Sequence, residues 1–287
     1  MLWFLYALMA AFCLSTTDAL SKKALKNTDE VIIAWVRFGF ALPFLFLFIL
    51  PSEIPVLDRT FWKTLFFLLP LEIAAIFLYI KAIKISPLSL TIPFLSLTPV
   101  FLIGTSFVIL GEFPDTSGLA GIFFIACAAY LLNLHQGKKG ILAPFQSIFK
   151  EKGSLIMIGV AFIYSITSNL GKLALLHSTP LFFGAFYTLV LTIVLTPFAF
   201  RSVIKKPFNF KTKLKTFLLI GFFYALMTIA HYQSIARVEV AYMISIKRMS
   251  LLFSVIYGGL IFKEENFGER LLGSLAMIIG VVFITVL

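Results

Sequence analysis

The sequence predicts an all-α membrane protein of ten transmembrane helices, arranged as two inverted five-helix repeats. Three observations carry this. The 287 residues are 60% hydrophobic and only 13% charged, with a mean hydropathy of +1.02, outside the range of soluble domains. Apolar runs of about 17–25 residues recur along the whole length, each enough to cross a ~30 Å hydrocarbon layer as a helix. The chain is also written twice: residues 10–25 and 160–175 share eight of sixteen positions, among them Ser15/Ser165, Thr17/Thr167 and Lys22/Lys172. At an offset of 152, Phe101 matches Phe253, Glu112 matches Glu264 and Gly121 matches Gly273. The apolar runs are continuous rather than alternating, which excludes a β-barrel.

The spans read 3–21, 31–50, 61–80, 87–110 and 117–134 in the first half, then 154–173, 180–200, 216–236, 239–262 and 268–287 in the second. Span 1 lacks the basic leader and cleavage site of a signal peptide, and its copy at span 6 is internal, so it counts as a helix. Span 2 carries Arg37 early. Span 3 carries Glu72 just after Pro70. Span 4 is interrupted by Pro87, Pro93 and Pro99, which free backbone carbonyls and make it a candidate moving element. Span 5 leads into the basic connection 135–153, which separates repeats 1–134 and 154–287. Span 7 has no counterpart of Arg37, span 8 carries a stripe of Gly221, Tyr224, Thr228 and His231, and span 9 carries Lys247-Arg248. Five spans per half is an odd number, so the second half enters the membrane from the opposite side, as in many secondary transporters.

Lysine and arginine concentrate in the loops after the odd-numbered spans, led by Arg201, Lys205, Lys206, Lys211, Lys213 and Lys215. By the positive-inside tendency those loops are cytoplasmic and both termini lie outside. The net charge of +11 sits in short loops, which argues against a nucleic-acid partner. Cys13 and Cys127 read as small buried hydrophobes, and His135, His177 and His231 share no ligand spacing, so neither metal nor cofactor is expected. No GxxxxGK[ST] loop for direct ATP drive occurs, and no HExxH, GxSxG or paired-Asp constellation for an intramembrane enzyme.

Several features together resemble the EamA-type proteins of the drug/metabolite transporter superfamily. They are the Lys ending the first span of each half (Lys22, Lys172), the Trp35-Val36-Arg37-Phe38 run, and the Ser96-Leu97-Thr98-Pro99-Val100-Phe101 stretch. The last leads to Gly111-Glu112 and Gly121, with Lys263-Glu264 and Gly273 in the second copy. The resemblance implies a multi-pass protein of a prokaryotic cytoplasmic membrane, monomeric or homodimeric, with both termini cytoplasmic, against the charge count.

A charge in the hydrocarbon costs roughly 2.5–3.5 kcal/mol on insertion scales, so intramembrane charges are read for function first. Lys247 and Arg248 suit a carboxylate or phosphate, Arg by its fork and Lys as a point charge, and they resemble the phosphate-binding pair of the triose-phosphate antiporter branch. On a continuous helix Lys247, Ser250, Ser254 and Gly258 form one polar stripe, with Arg248 on its flank. With Tyr224, His231, Ser89 and Ser96 these are the candidate substrate residues. Glu72 is the candidate coupling group, and Arg37, Lys22, Lys172, Glu112, Glu264 and Pro93 are candidates for gating or structure. The structural alternatives are ion pairing of Glu72 to Arg37, Lys247 or Arg248, and snorkelling of Arg37. The expected activity is secondary active transport of a small polar metabolite, anionic, by alternating access, coupled to a proton or an exchanged solute. Export of amino acids or drugs, or flipping of a lipid-linked intermediate, is the alternative.

Overall fold

The computed structural model describes residues 1–25, 28–49, 54–85, 92–131, 152–205, 210–261 and 278–284. Among them the regular elements are all helical: α1 Leu2–Leu25, α2 Glu30–Gly39, α3 Leu42–Ile49, α4 Arg59–Ile85, a 3-10 segment Ile92–Leu97, α5 Thr98–Leu110, α6 Thr116–Leu131, α7 Lys152–Leu176, α8 Pro180–Lys205, α9 Phe210–Ile235, α10 Val240–Lys247 and α11 Ser250–Ile261. Residues 278–284 are helical as well. Seven stretches are long and apolar enough to cross a membrane, and two more, Phe94–Leu110 and Thr116–Ala128, are apolar but shorter. Ser89, Glu264 and Gly273 lie outside the described residues, as does most of span 10.

Local chemistry explains most helix ends. Asp29 caps α2 by accepting from the Val31 amide at 3.0 Å, and Asp58 caps α4 by accepting from Phe61 at 2.8 Å. The Asp58 carboxyl is held below the ordinary carboxylate range, first by that amide and then by His177, whose Nδ1 is 2.8 Å away. Gly111 ends α5 in the left-handed region, φ 71°, donating to Phe107, while Glu112 donates to Ser106. Asp115 opens α6 by accepting from Gly118 and from the hydroxyls of Ser117 and Tyr242, and these bonds hold its carboxyl low as well.

Three of the expected spans are broken, span 4 among them, where prolines interrupt the sequence. In span 2, Pro43 has no amide proton to offer, and the chain turns at Phe40-Ala41 between α2 and α3. In span 4, Pro99 sits at the first turn of α5, and the residues before it tighten into the 3-10 segment. Span 9 breaks at Arg248-Met249, where Met249 donates to Ile246 and Leu251 to Arg248 in 3-10 fashion. α5 begins at Thr98 and α11 at Ser250, which is the repeat offset read from the sequence. α2 begins at Glu30 and α8 at Pro180, again at matching positions.

The helices pack as two compact groups, each drawing on both sequence halves. The first comprises Met1–Lys63 and Ala174–Arg237. In it α1 runs antiparallel to α9. Ser234 donates to the Trp3 carbonyl at 2.7 Å at one end, and Lys213 to the Ala24 carbonyl at 3.2 Å at the other. Every buried residue of α1 is small (Ala7, Ala10, Ala11, Cys13, Ser15, Thr17, Ser21, Ala24), which lets the backbones approach where lipid supplies no hydrophobic drive. Ala24, Ile32, Ile33 and Val36 then pack on Phe217 and Ile220.

The second group comprises Thr64–Leu173 and Val238–Leu287. Its core joins Ala82 and Leu95 to Met157, Val160 and Ala161. α6 crosses segment 278–284 at Gly121 and Gly280, where a Cβ on Gly280 would stand 2.7 Å from the Gly121 carbonyl oxygen and 2.9 Å from the Ile125 nitrogen. Gly280→Val is therefore expected to destabilise the protein in detergent by several degrees in Tm. An unchanged melting curve would show that this crossing carries no stability.

Candidate functional site

The broken span 9 places a charge inside the second group. Arg248 closes α10, its amide donating to the Ile244 and Ser245 carbonyls at 3.1 Å. Its Nη2 donates to Thr98 Oγ1 at 2.9 Å, so the guanidinium of one broken span is tied to the first residue of the helix that follows the break in span 4. Tyr79 and Tyr164 are its electrostatic neighbours. Its Nε is enclosed with no hydrogen-bond partner among the described residues. A buried donor left unmade costs ~1–3 kcal/mol, more when charged, so this edge of the fork is an open position for an acceptor. Nε and an Nη on one guanidinium edge match the two oxygens of a carboxylate or phosphate.

The turn at 248–249 revises the expected stripe. Ser250 and Gly258 are buried, but Ser254, between them on the same helix α11, is exposed. Lys247 is half-buried, and Arg248, placed on the flank by the sequence, is tied to Thr98. Ser96 is buried in the 3-10 segment, one turn from Thr98, and Pro93 belongs to the same segment.

A second constellation in this group joins three residues of separate elements. Lys172, buried near the end of α7, forms an ion pair with Glu112 and donates to the Val238 carbonyl at 2.7 Å. The second carboxylate oxygen of Glu112 accepts from the Val240 amide at 3.0 Å. The residue preceding α10, Glu239, makes no side-chain cap, and Glu112 supplies the missing acceptor from another element. Tyr242, one turn along, bonds Asp115 and lies over Gly118, where a Cβ would come 2.2 Å from its ring. The entry of α10 is thus held to the α5–α6 connection and to the end of α7 at once.

The first group contains an intramembrane ion pair. Arg37 Nη2 meets Asp18 Oδ1 at 2.6 Å, and Arg37 Nε donates to Ser21 at 3.1 Å. Arg37 is thus held by a carboxylate and a hydroxyl of the neighbouring α1. Tyr224 packs edge-on against Phe38 with ring centroids 5.1 Å apart, and His231 edge-on against Tyr232 at 4.8 Å. Gly221 lets α9 reach the Phe40 backbone, where a Cβ would stand at 2.3 Å. Lys22 is half-buried in the last turns of α1, and Glu72 is half-buried in α4.

Sequence reasoning missed Thr98 and Asn169. Asn169 Oδ1 accepts from Ser106 at 2.8 Å, while its Nδ2 donates to Thr105 and to the Ser165 carbonyl. Both amide hydrogens and the oxygen are directed to α5 and α7, which makes it an interhelical clamp. The signal that could have found it is the repeat: Asn169 aligns with Ala19, a polar residue present in one copy alone. Among the described residues no three His, Cys, Asp or Glu side chains form a metal site.

These features define an integral, multi-pass, helical membrane protein. The chain belongs to the EamA-like transporter family, whose model matches residues 1–134 and 151–286, and is a transporter of the drug/metabolite type. A crystal structure described only as that of a protein matches with a TM-score of 0.77, covering 99% of this chain and 98% of that one at 14% identity, which shows a shared fold. No curated protein matches the chain.

Proposed function

We propose that the protein is a secondary active transporter of a small polar anion, a carboxylate or phosphate, working by alternating access between two inverted five-helix repeats, 1–134 and 154–287. The observation that carries this is the enclosed, unpartnered Nε of Arg248 at the break of span 9, next to Thr98 at the break of span 4. Discontinuous helices at matching repeat positions are where transporters of inverted-repeat build place substrate. Lys247 adds a second cation at the same turn.

The ten-span, inverted reading is supported by which helix ends meet. Trp3 with Ser234, and Glu112 with Lys172 and Val240, join ends that a ten-span count puts on one side of the membrane. One extra or missing crossing between the partners would separate them by the bilayer.

Thermal stabilisation of the purified protein by a panel of carboxylates, phosphates, amines and neutral solutes tests the substrate class. Stabilisation is expected from anions and its loss in Arg248→Gln. Stabilisation by amines alone, or lipid scrambling by reconstituted protein with no anion response, would contradict the reading.

A further inference from the structure

The Asp18–Arg37 pair lies within the apolar stretches of spans 1 and 2. Asp18 is seven residues before the end of α1 and Arg37 seven residues after the start of α2, so each is about 10 Å from its helix end at 1.5 Å per residue. The Asp18 side chain is nonetheless 39% exposed and that of Arg37 22%. The direction of that exposure is given by α1 itself. Its large exposed side chains, Leu5, Met9 and Phe12, form one lipid-facing stripe, and at 3.6 residues per turn Asp18 lies roughly 150° around the helix from it. The carboxylate therefore opens away from that apolar stripe. The repeat sharpens this: Asp18 aligns with Ser168 and Arg37 with Tyr187, so the pair is present in one copy and its fold equivalent manages without it.

Few other charges reach it. From α2 the facing group is Arg37, with Glu30 seven residues earlier at the start of that helix. On α1 itself Lys22 follows one turn later and Lys23 beside it. From α9, Lys213 is directed to the Ala24 carbonyl and Thr28. The antiparallel contacts of Trp3 with Ser234 and Ala24 with Lys213 put Leu219 level with Asp18, and Phe217 to Gly221 around it hold no titratable side chain.

We propose that Asp18 is the proton-carrying group of the transport cycle and Arg37 its exchangeable counter-charge. A proton from water adds to an Asp18 carboxylate oxygen, the ion pair to Arg37 Nη2 breaks, and the site goes from neutral to singly positive. Arg37, no longer paired with that carboxylate, then takes an anionic group of the cargo, and deprotonation on the opposite side restores the pair. This rests on the transporter reading above but not on Arg248 being the anion site.

The test uses protons alone. Proteoliposomes without added solute are given a rapid pH step and the charge displacement is recorded. Wild type is expected to show a transient, Asp18→Asn to lose it about tenfold, and Asp18→Glu and Glu72→Gln to retain it. A full transient in Asp18→Asn, or its loss in Glu72→Gln, overturns the proposal. If Asp18→Asn does not fold, the acid-minus-neutral infrared spectrum decides: the protonated-carboxyl band must change frequency in Asp18→Glu, and an unmoved band overturns the assignment. Because no cargo is present, these results stand whether or not anions bind at Arg248.

Discussion

Arg248→Gln is expected to reduce anion transport by roughly 10–150-fold while leaving the protein folded. That range is the loss of one charge-assisted hydrogen bond, ~1.5–3 kcal/mol, converted at 1.4 kcal/mol per decade. Gln is shorter by two bonds and keeps a polar amide near the position of Nε, but it removes the charge, the fork and the Nη2 bond to Thr98. Arg248→Lys should recover part of the rate, since a point charge attracts the anion without the two-toothed geometry. Lys247→Ala is expected to abolish transport as well, by removing the second cation of the turn. Wild-type rates in either Arg248→Gln or Lys247→Ala would remove that residue from the substrate site. The measurement is initial uptake into proteoliposomes, with monodispersity in detergent as the check on folding.

Glu112→Gln should be the most destabilising single change at the entry of α10. It leaves buried Lys172 without its counter-charge and weakens the acceptor for the Val240 amide. Removing one partner of a buried ion pair costs about 3–5 kcal/mol, whereas replacing both by apolar groups of similar size is often near neutral. Lys172→Met is therefore expected to destabilise as much, and the pair Lys172→Met with Glu112→Gln less than the sum of the two. Thermal denaturation of the three variants reads this directly. Additive losses would mean that the two side chains do not act on one another.

Much of the fold was legible because lipid imposes simple rules. Unbroken apolar runs located the helices, and Pro43 and Pro99 account chemically for two of the three breaks. The third break was hidden: its position holds Leu251 where the first copy has Pro99, so nothing local at 248–249 announces a turn. That one turn decides the geometry of Arg248 and separates Lys247 in helix phase from Ser250, Ser254 and Gly258. The grouping of helices from both halves was equally hidden, since the repeat says which spans are equivalent but not which ones touch.

The candidate site was legible residue by residue more than pair by pair. Lys172 and Glu112 were flagged because they recur in both copies, but their union with each other and with the Val240 amide is a tertiary fact. Arg37 was flagged as an intramembrane charge, but its pairing with Asp18 on α1 is a tertiary fact. Asp18 finds its partner on the neighbouring α2, which the spacing of residues along α1 does not reveal. Thr98 looked like part of a helix opening and is the acceptor that orients Arg248.

The central claim, an anion held at Arg248 and carried across the bilayer, is tested most directly by counterflow. Proteoliposomes are loaded with the carboxylate or phosphate that best stabilises the protein and diluted into a trace of the same compound, labelled. Transient accumulation of label is expected for wild type, and its absence for Arg248→Gln at equal reconstitution. Equal counterflow in both, or accumulation of label without preloading by liposomes lacking the protein, would contradict it.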